Sequence, residues 1–185
     1  MLKFSFGESS AEKEVCSKVD EISQANKNGI FLKPVGVIHS PYRERGEAPR
    51  QGRFSDKESV LEIFDEYAPA LKDVEESRWY ILLYWADRAS RDVLQTVTPH
   101  GPEIRGVFAC RSPARPNPIL FCVVELLRRE GNRLVVKGSD ALDGSTIVDI
   151  KPYSARTDCV PDAEIGWLSK KEKEIDLPED KKNDA

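Results

Sequence analysis

The sequence predicts a mainly β protein whose strands pair antiparallel in a closed or nearly closed architecture. Two observations lead to this prediction. Short runs rich in Val, Ile and aromatic residues recur along the chain and are separated by Gly, Pro, Asn and Asp, which is the pattern of strands joined by turns. The alternation of strands and long helices that a doubly wound parallel sheet needs is missing. Closure would remove the free strand edges at which other chains can pair.

The strand runs differ in how clearly they are delimited. Strands are predicted over residues 31–38, 79–85, 106–109, 119–127, 134–137 and 147–150, with a hairpin turn at Glu130-Gly131-Asn132. Residues 60–64 fit either a strand or the start of a helix. Residues 67–76 have helical composition, with Leu71 and Val74 three positions apart. The prediction is therefore a sheet with one or two short helices inserted.

The two ends of the chain differ from this strand-rich middle. Residues 1–29 are expected to form a helical extension, because Val15, Val19 and Ile22 make one apolar stripe at helical spacing. Ser9, with Glu12 three positions later, has the form of a capping box at its start. Residues 30–168 form the expected barrel domain, and residues 169–185 are expected to be a charged tail.

The composition limits the classes of protein to which the chain can belong. Of its 185 residues 39% are apolar and 32% charged, and no apolar stretch approaches the ~18 residues of a membrane-spanning helix. The four cysteines form no C-x-x-C pair, so the prediction is reduced thiols in a cytoplasmic protein and no metal site. The net charge of −4 argues against general coating of nucleic acid, whereas the arginines cluster locally, which favours a local anionic ligand.

Familiar enzyme motifs are missing, so a site has to come from less common loops. No two glycines have the G-x-G spacing of a Rossmann turn, and P-loop, G-x-S-x-G and H-E-x-x-H motifs are also absent from the sequence. The first unusual loop, residues 40–52, combines two prolines and two glycines with three arginines. Prolines stiffen such a loop, and glycines allow close backbone approach.

The second unusual loop, residues 105–119, is the strongest signal in the sequence. Pro113, Pro116 and Pro118 fall within six residues and hold the backbone extended. Arg111 and Arg115 are then presented at fixed positions, which suits recognition of a carboxylate or a phosphate. The third loop follows at residues 139–153 and carries Asp140, Asp143 and Asp149. These carboxylates are expected near the second loop, where they could orient its arginines or meet a cationic ligand.

Together these loops resemble the TsaA-like (TrmO) family of tRNA N6-threonylcarbamoyladenosine methyltransferases. The resembling stretches are residues 36–42 (GVIHSPY), 49–52 (PRQG), 106–119 (GVFACRSPARPNPI) and 140–153 (DALDGSTIVDIKPY). The resemblance implies a single-sheet closed β-barrel that forms a homodimer and holds S-adenosyl-L-methionine (SAM) near the subunit interface. It also implies transfer of a methyl group to the exocyclic N6 of the modified adenosine next to the tRNA anticodon.

The resemblance also implies which residues form the site. Cofactor contacts are expected from Gln51, Gly52, Arg53, Trp85, Ala86, Arg111, Lys137, Gly138, Ser139 and Asp140, and substrate contacts from Arg50, Arg115 and Asn117. The target nitrogen must lose a proton, and a carboxylate that accepts it would add roughly 10²–10⁴-fold to the rate. Asp143 and Asp140 are the candidates for this catalytic role.

Two departures from the family pattern keep alternative functions open. Leu120 and Phe121 follow the proline motif where the family usually has Gly and a small polar residue. Ala86-Asp87 stands at a strand end where a His is common. The alternatives are a SAM-dependent methyltransferase with a non-tRNA substrate and a non-catalytic SAM-binding module.

Overall fold

The computed structural model describes residues 31–169 and confirms the mainly β fold class. The strands lie within a compact unit of residues 34–185, which is distinct from residues 1–33. The predicted helical extension over residues 1–29 and nearly all of the predicted charged tail lie outside the described residues. Within residues 31–169, no helix is both long and apolar enough to cross a membrane.

Six strands form the main sheet, all paired antiparallel. They are β1 (Gly36–His39), β2 (Glu58–Ile63), β3 (Trp79–Trp85), β6 (Ile119–Glu130), β7 (Arg133–Lys137) and β8 (Thr146–Pro152). Their order around the sheet is β1-β2-β7-β6-β3-β8, and β8 pairs back with β1 through Gly36–Ile147 and Val37–Thr146, so the sheet forms a closed barrel. The ambiguous run over residues 60–64 is therefore a strand.

The barrel interior is filled by every second side chain of its strands, as the period of two requires. Ile38, Leu61, Leu82, Val124 and Ile147 are each fully buried. Burial alternates along β3, which confirms the strand predicted over residues 79–85: Trp79 is exposed, and Tyr80, Leu82 and Tyr84 are buried. Its outward side chains are apolar too, which is why the sequence reads as a continuously buried run.

The prediction of a strand over residues 106–109 was wrong. Val107–Ala109 is a short 3-10 helix, and the strand lies before it, as β5 (Gly101–Gly106). This strand pairs with β4 (Gln95–Thr98) in a separate two-stranded hairpin that the sequence analysis missed. Val97 and Ile104 face each other across the hairpin and are exposed, so neither strand has the buried face that produces an apolar alternation.

Residues 67–76 are helical, as predicted, but in two 3-10 segments, Asp65–Leu71 and Val74–Glu76. Pro69 lies inside the first segment and has no N–H to donate. Asp73 has a φ of 62°, which interrupts the helical backbone between the two segments. These two residues prevent one continuous α-helix. A short α-helix, α1 (Ala155–Asp158), follows β8.

The loops singled out in the sequence meet at one end of the barrel. Because neighbouring strands are antiparallel, the C-terminal ends of β1, β3 and β7 lie at the same end as the N-terminal ends of β2, β6 and β8. The connections after β1, after β3, before β6 and between β7 and β8 therefore converge there. The register of β3 with β8 shifts between Leu83 and Tyr84, and such bulges often occur beside functional sites.

Candidate functional site

A cavity of about 510 Å³ opens at this end of the barrel, within the size range of small-molecule sites. Its exposed lining residues, here called the rim, are Arg45, Arg50, Asp87, Arg88, Arg111, Pro113, Ile119 and Phe121. Its buried or half-buried lining residues, here called the floor, are Ala48, Pro49, Gln51, Tyr84, Ala86, Ala89, Arg115, Leu120, Asp140, Leu142 and Ser145. The cavity thus combines guanidinium groups, two carboxylates and apolar surface.

Backbone and side-chain hydrogen bonds fix the β7–β8 loop against the loop that follows β1. The Ser40 N–H donates to Asp143 Oδ1 at 3.0 Å, and the Ser40 hydroxyl donates to the Ala141 carbonyl at 2.7 Å. The Asp143 N–H donates to the Tyr42 carbonyl at 2.7 Å, and the Gly144 N–H to the Ile38 carbonyl at 2.8 Å. These bonds position the segment that carries Asp140 at the cavity.

Gly52 is required by the close approach of two backbones. A Cβ at this position would lie 1.9 Å from the Gly138 carbonyl oxygen and 3.1 Å from the Asp140 nitrogen. Gly138 has a φ of 94°, in the left-handed region that favours glycine. The two glycines therefore join the loop after β1 to the end of β7. Both were predicted as cofactor-binding residues, and in the structure both are buried and lie outside the cavity lining.

Tyr84 and Asp140 form a hydrogen-bonded pair on the floor. The Tyr84 hydroxyl donates to Asp140 Oδ1 at 2.9 Å, and Tyr84 is only 3% exposed. Burial raises the pKa of Asp140, whereas hydrogen bonds from Tyr84, from its own backbone and from Gly52 act to lower it. Burial and the nearby Asp140 charge raise the pKa of the Tyr84 hydroxyl, so Tyr84 remains a donor. The pair therefore holds the Asp140 carboxylate in one orientation and in a partly desolvated position.

Cys122 lies on the barrel side of this pair. Its thiol is buried, and burial with the Asp140 charge raises its pKa to about 12. A thiol with so high a pKa is a poor nucleophile at neutral pH. It interacts instead with Asp140 and Ser139 as a neutral hydrogen-bonding group. Cys122 thus supports the floor.

Arg115 is the residue that holds the proline loop together. Its Nε donates to the Ser112 carbonyl at 2.7 Å, and its Nη2 donates to the Val107 and Cys110 carbonyls at 2.9 and 2.6 Å. Its backbone N–H donates to the Ser90 carbonyl at 3.1 Å. Prolines supply no N–H groups, so the loop carbonyls need donors from elsewhere. The Arg115 side chain supplies them.

The rim arginines are held more loosely. Arg111 has its guanidinium carbon 5.8 Å from the Phe121 ring centre and donates to the Phe121 carbonyl at 3.4 Å. Arg88 donates to the Arg43 and Asp143 carbonyls at 2.7 and 2.8 Å, and Arg45 donates to the Arg88 carbonyl. Within residues 31–169, no carboxylate forms an ion pair with any of the cavity's arginines, and Arg50 makes no side-chain hydrogen bond.

Six of the residues predicted for the site line the cavity: Arg50, Gln51, Ala86, Arg111, Arg115 and Asp140. The others lie around it. Arg53 contacts the Phe54 ring, Trp85 contacts Arg91, and Lys137 pairs with Asp56. Gly52, Gly138 and Ser139 are buried outside the lining, and Asn117 is exposed within the proline loop. Asp143 accepts the Ser40 N–H and is not part of the lining. Asp149 pairs with Lys151, so of the three loop aspartates only Asp140 faces the cavity.

Several lining residues were missed by the sequence analysis. Arg45 was noticed only as part of an arginine cluster, and Asp87 only as a departure from the family. Arg88 reaches the cavity because the chain turns at Ala86–Ala89, where the Ala89 N–H donates to the Ala86 carbonyl at 3.1 Å. Within the described residues, no three metal-ligating side chains come together.

Comparison with known proteins identifies the family of the chain. The family model described as the tRNA-methyltransferase O N-terminal domain matches residues 37–159. The chain is similar to an S-adenosyl-L-methionine-binding protein of Archaeoglobus fulgidus, with 57% identity over 131 residues, 71% of this chain and 94% of that protein. It is also 56% identical over 139 residues to a longer protein of that organism, also named for S-adenosyl-L-methionine binding, and matches 38% of that protein's length.

Solved structures extend the comparison to the fold. The crystal structure of TrmO from Pseudomonas aeruginosa superposes with a TM-score of 0.61 at 33% identity, covering 74% of this chain and 62% of the other. The chain thus spans less than two thirds of the solved protein and of the longer archaeal relative. The matched segment contains every strand of the barrel except the first residue of β1, together with all the loops that line the cavity. The chain belongs to the TrmO N-terminal-domain family.

Proposed function

We propose that the chain is a SAM-dependent methyltransferase that methylates N6 of threonylcarbamoyladenosine next to the tRNA anticodon. The observation that carries the proposal is the Tyr84–Asp140 pair on the floor of an arginine-lined cavity, in a member of the TrmO N-terminal-domain family. A carboxylate in a partly desolvated cavity is equipped to take up a proton or to bind a cation. The arginines around it are equipped to bind carboxylate or phosphate groups.

The residues of the cavity fit SAM. Its carboxylate suits a guanidinium such as Arg111, and its ammonium and sulfonium groups suit the carboxylate of Asp140. Its adenine needs flat apolar surface, which Ala86, Leu120 and Leu142 provide. When bound, SAM supplies a methyl group that is activated by the positively charged sulfur. The remaining chemistry belongs to the residues of the chain.

In the proposed mechanism, the chain aligns the acceptor nitrogen and removes its proton. The lone pair of this nitrogen is delocalised into the purine ring and the carbamoyl group, so alignment in the cavity has to supply much of the rate. Asp140 accepts the proton, because it is the carboxylate on the floor and burial gives it a raised pKa. Tyr84 holds Asp140 in one orientation through the 2.9 Å hydrogen bond.

Asp143, the other carboxylate proposed from the sequence, has a weaker case. Its Oδ1 accepts the Ser40 N–H, and its backbone carbonyl accepts a hydrogen bond from Arg88. Both bonds join the loops that surround the cavity. We therefore assign Asp143 to positioning these loops and Asp140 to proton transfer.

Methyl transfer from labelled SAM to purified tRNA tests the proposal. Transfer to tRNA that carries threonylcarbamoyladenosine, and none to the same tRNA made without the modification, is the expected result. SAM binding by calorimetry serves as the parallel measurement. If SAM binds and no tRNA fraction accepts methyl, the proposed substrate is wrong.

A non-catalytic SAM-binding module is the second candidate. It is favoured by the Archaeoglobus fulgidus relative that matches over 94% of its length, because that protein is named for binding SAM. A methyltransferase with a non-tRNA substrate is the third, motivated by Leu120 and Phe121 in the cavity lining. Turnover that is unaffected by removal of tRNA would favour this third candidate. The homodimer and the cytoplasmic location stay predictions.

A further inference from the structure

The charge of the cavity points to a ligand other than SAM. Five arginines and two aspartates line it, which leaves an excess of three positive charges. SAM carries one carboxylate, one ammonium and one sulfonium group, so its binding would make the excess larger. Like charges in a shared cavity repel each other unless an anion balances them. The chain as a whole has a net charge of −4, so this local excess is not a general property of its surface.

The arginines are not balanced by the protein itself. Within residues 31–169, the donors of Arg45, Arg88, Arg111 and Arg115 meet backbone carbonyls and no carboxylate. Arg50 has no hydrogen-bonding partner among these residues. A carbonyl fixes the direction of a guanidinium but leaves its charge uncompensated. The cavity thus holds oriented positive charge without a counter-ion.

Three of these arginines are exposed on the rim, and two of them are in contact. Arg45 and Arg50 lie on the loop after β1, and the Arg45 side chain donates to the backbone carbonyl of Arg88, which follows β3. Glu47 lies between Arg45 and Arg50 in sequence, but its carboxylate accepts the Arg43 and Glu44 N–H groups at 2.6 and 3.2 Å. This acid therefore stabilises the loop turn instead of neutralising the arginines. All three arginines are exposed and accessible to a large ligand.

We propose that Arg45, Arg50 and Arg88 form an anion-binding subsite on the rim of the cavity, which binds the phosphate groups of an RNA acceptor. The inference rests on the proposed function, in that the acceptor is an RNA brought to the cavity. It adds which residues hold that acceptor and through which chemical group. Guanidinium groups bind phosphates bidentately, and exposed ones do so without the cost of desolvating a buried charge.

The test uses the full chain and an unmodified RNA stem-loop, which has phosphates but no threonylcarbamoyl carboxylate. Affinity is measured by fluorescence anisotropy at several salt concentrations for wild type, R45Q, R50Q and R45Q/R50Q. Arg156, exposed in α1 beyond the opposite end of the barrel, provides the matched control R156Q. Arg88 is left unchanged, because its side chain also joins the loops.

Each rim substitution is expected to weaken RNA binding about fivefold at 0.1 M salt. It should also reduce the steepness of the plot of log binding constant against log salt concentration (the salt slope) by about 0.7. The double variant should lose about 25-fold, with R156Q unchanged. Equal losses in R156Q would overturn the proposal, as would a wild type that binds no RNA. A loss of SAM affinity with RNA binding intact would assign these arginines to the cofactor.

The free modified nucleoside separates phosphate from carboxylate recognition. It carries the threonylcarbamoyl carboxylate and no phosphate. If R45Q/R50Q no longer binds this nucleoside and its RNA affinity keeps the wild-type salt dependence, the subsite binds the carboxylate. The phosphate proposal is then wrong. None of these binding measurements depends on methyl transfer. A chain that binds RNA through the rim and transfers no methyl would therefore contradict the proposed function and leave this inference standing.

Discussion

The floor and the rim of the cavity contain the same kinds of side chain, held in opposite ways. On the floor, Arg115 donates to three backbone carbonyls and Asp140 accepts the Tyr84 hydroxyl. On the rim, Arg50 has no hydrogen bond to any residue between 31 and 169, and Arg45 has one, to a carbonyl. The floor is therefore a fixed arrangement that the fold stabilises. On the rim, the Arg45 and Arg50 donors are largely unused, whereas Arg88 also joins two loops.

This difference separates residues that build the site from residues that are available to a ligand. A guanidinium that donates to several carbonyls contributes to stability, and its removal leaves those acceptors without a donor. An exposed guanidinium without partners contributes little to stability, so its removal should be visible only in binding. Floor variants should alter folding or chemistry, whereas variants of Arg45, Arg50 and Arg111 on the rim should alter affinity alone. The following predictions test that division.

The largest effect is expected from D140N, which removes the floor carboxylate and keeps its shape. If Asp140 accepts the proton, methyl transfer should fall by roughly 10²–10⁴-fold. The rate of transfer at saturating SAM and tRNA measures this. A variant with wild-type turnover would remove Asp140 from the proposed mechanism.

D140N is also expected to change stability: it should stabilise the fold at neutral pH, although it lowers activity. Burial raises the pKa of Asp140 above its usual 3.8, so the ionised carboxylate lowers the stability of the fold as the pH rises through that pKa. The variant lacks this penalty. Its free energy of unfolding should therefore match that of wild type below pH 3.8 and exceed it at neutral pH. Urea unfolding of both proteins at the two pH values measures the difference.

R115M should lower the free energy of unfolding by about 3 kcal/mol, because it removes the donors of three carbonyl hydrogen bonds. Methionine keeps the apolar stem of the side chain. The control is R111M on the same loop, whose guanidinium makes one long hydrogen bond, to the Phe121 carbonyl at 3.4 Å. R111M should change stability by less than about 0.5 kcal/mol. Equal losses in the two variants would contradict the division between floor and rim.

The role of Arg115 also shows where reasoning from the sequence stops. The sequence identified the proline loop and its two arginines, and both line the cavity. It assigned Arg115 to the substrate because a rigid loop with a guanidinium suggests an external anion. The structure shows that the loop's own carbonyls use that guanidinium. The path of the backbone determines which acceptors Arg115 can reach. Residue spacing along the sequence does not specify that path.

Four strands were predictable from their buried faces, whereas β1 was predicted to begin at residue 31 and β2 was left open between strand and helix. The strands β3, β6, β7 and β8 were found within a few residues, because their inward side chains are apolar. The hairpin of β4 and β5 was missed, because Val97 and Ile104 are exposed and Pro99 and Pro102 lie near its turn. Likewise Tyr84 meets Asp140 only because β3 and the β7–β8 loop reach the same end of the closed barrel, 56 residues apart in sequence.

G52A should lower the free energy of unfolding by about 2 kcal/mol through overpacking. The added Cβ would lie 1.9 Å from the Gly138 carbonyl oxygen, a backbone atom that cannot move without shifting the loop that carries Asp140. SAM affinity should fall with stability, because that loop lines the floor. G46A, on the same connection, has no atom within 4 Å of its added Cβ and should fold as wild type does. Stability of the two variants by urea unfolding checks the contrast.

The smallest effect is expected from Y84F, which removes only the hydroxyl that orients Asp140. That hydrogen bond acts to lower the Asp140 pKa, so its loss raises the pKa further. Methyl transfer requires the ionised carboxylate, so the acidic limb of the pH profile of kcat should move to higher pH. At neutral pH we expect a loss of about tenfold, equivalent to about 1.4 kcal/mol.

Y80F is the matched control for Y84F. Tyr80 is buried on the same face of β3, and its hydroxyl donates to a backbone carbonyl, that of Val74. Both variants should lose stability through one missing hydrogen bond, and only Y84F should shift the pH profile. If both profiles shift equally, the hydroxyl of Tyr84 acts through general stability. A shift confined to Y84F would show that the floor controls the chemistry of Asp140 through this one bond.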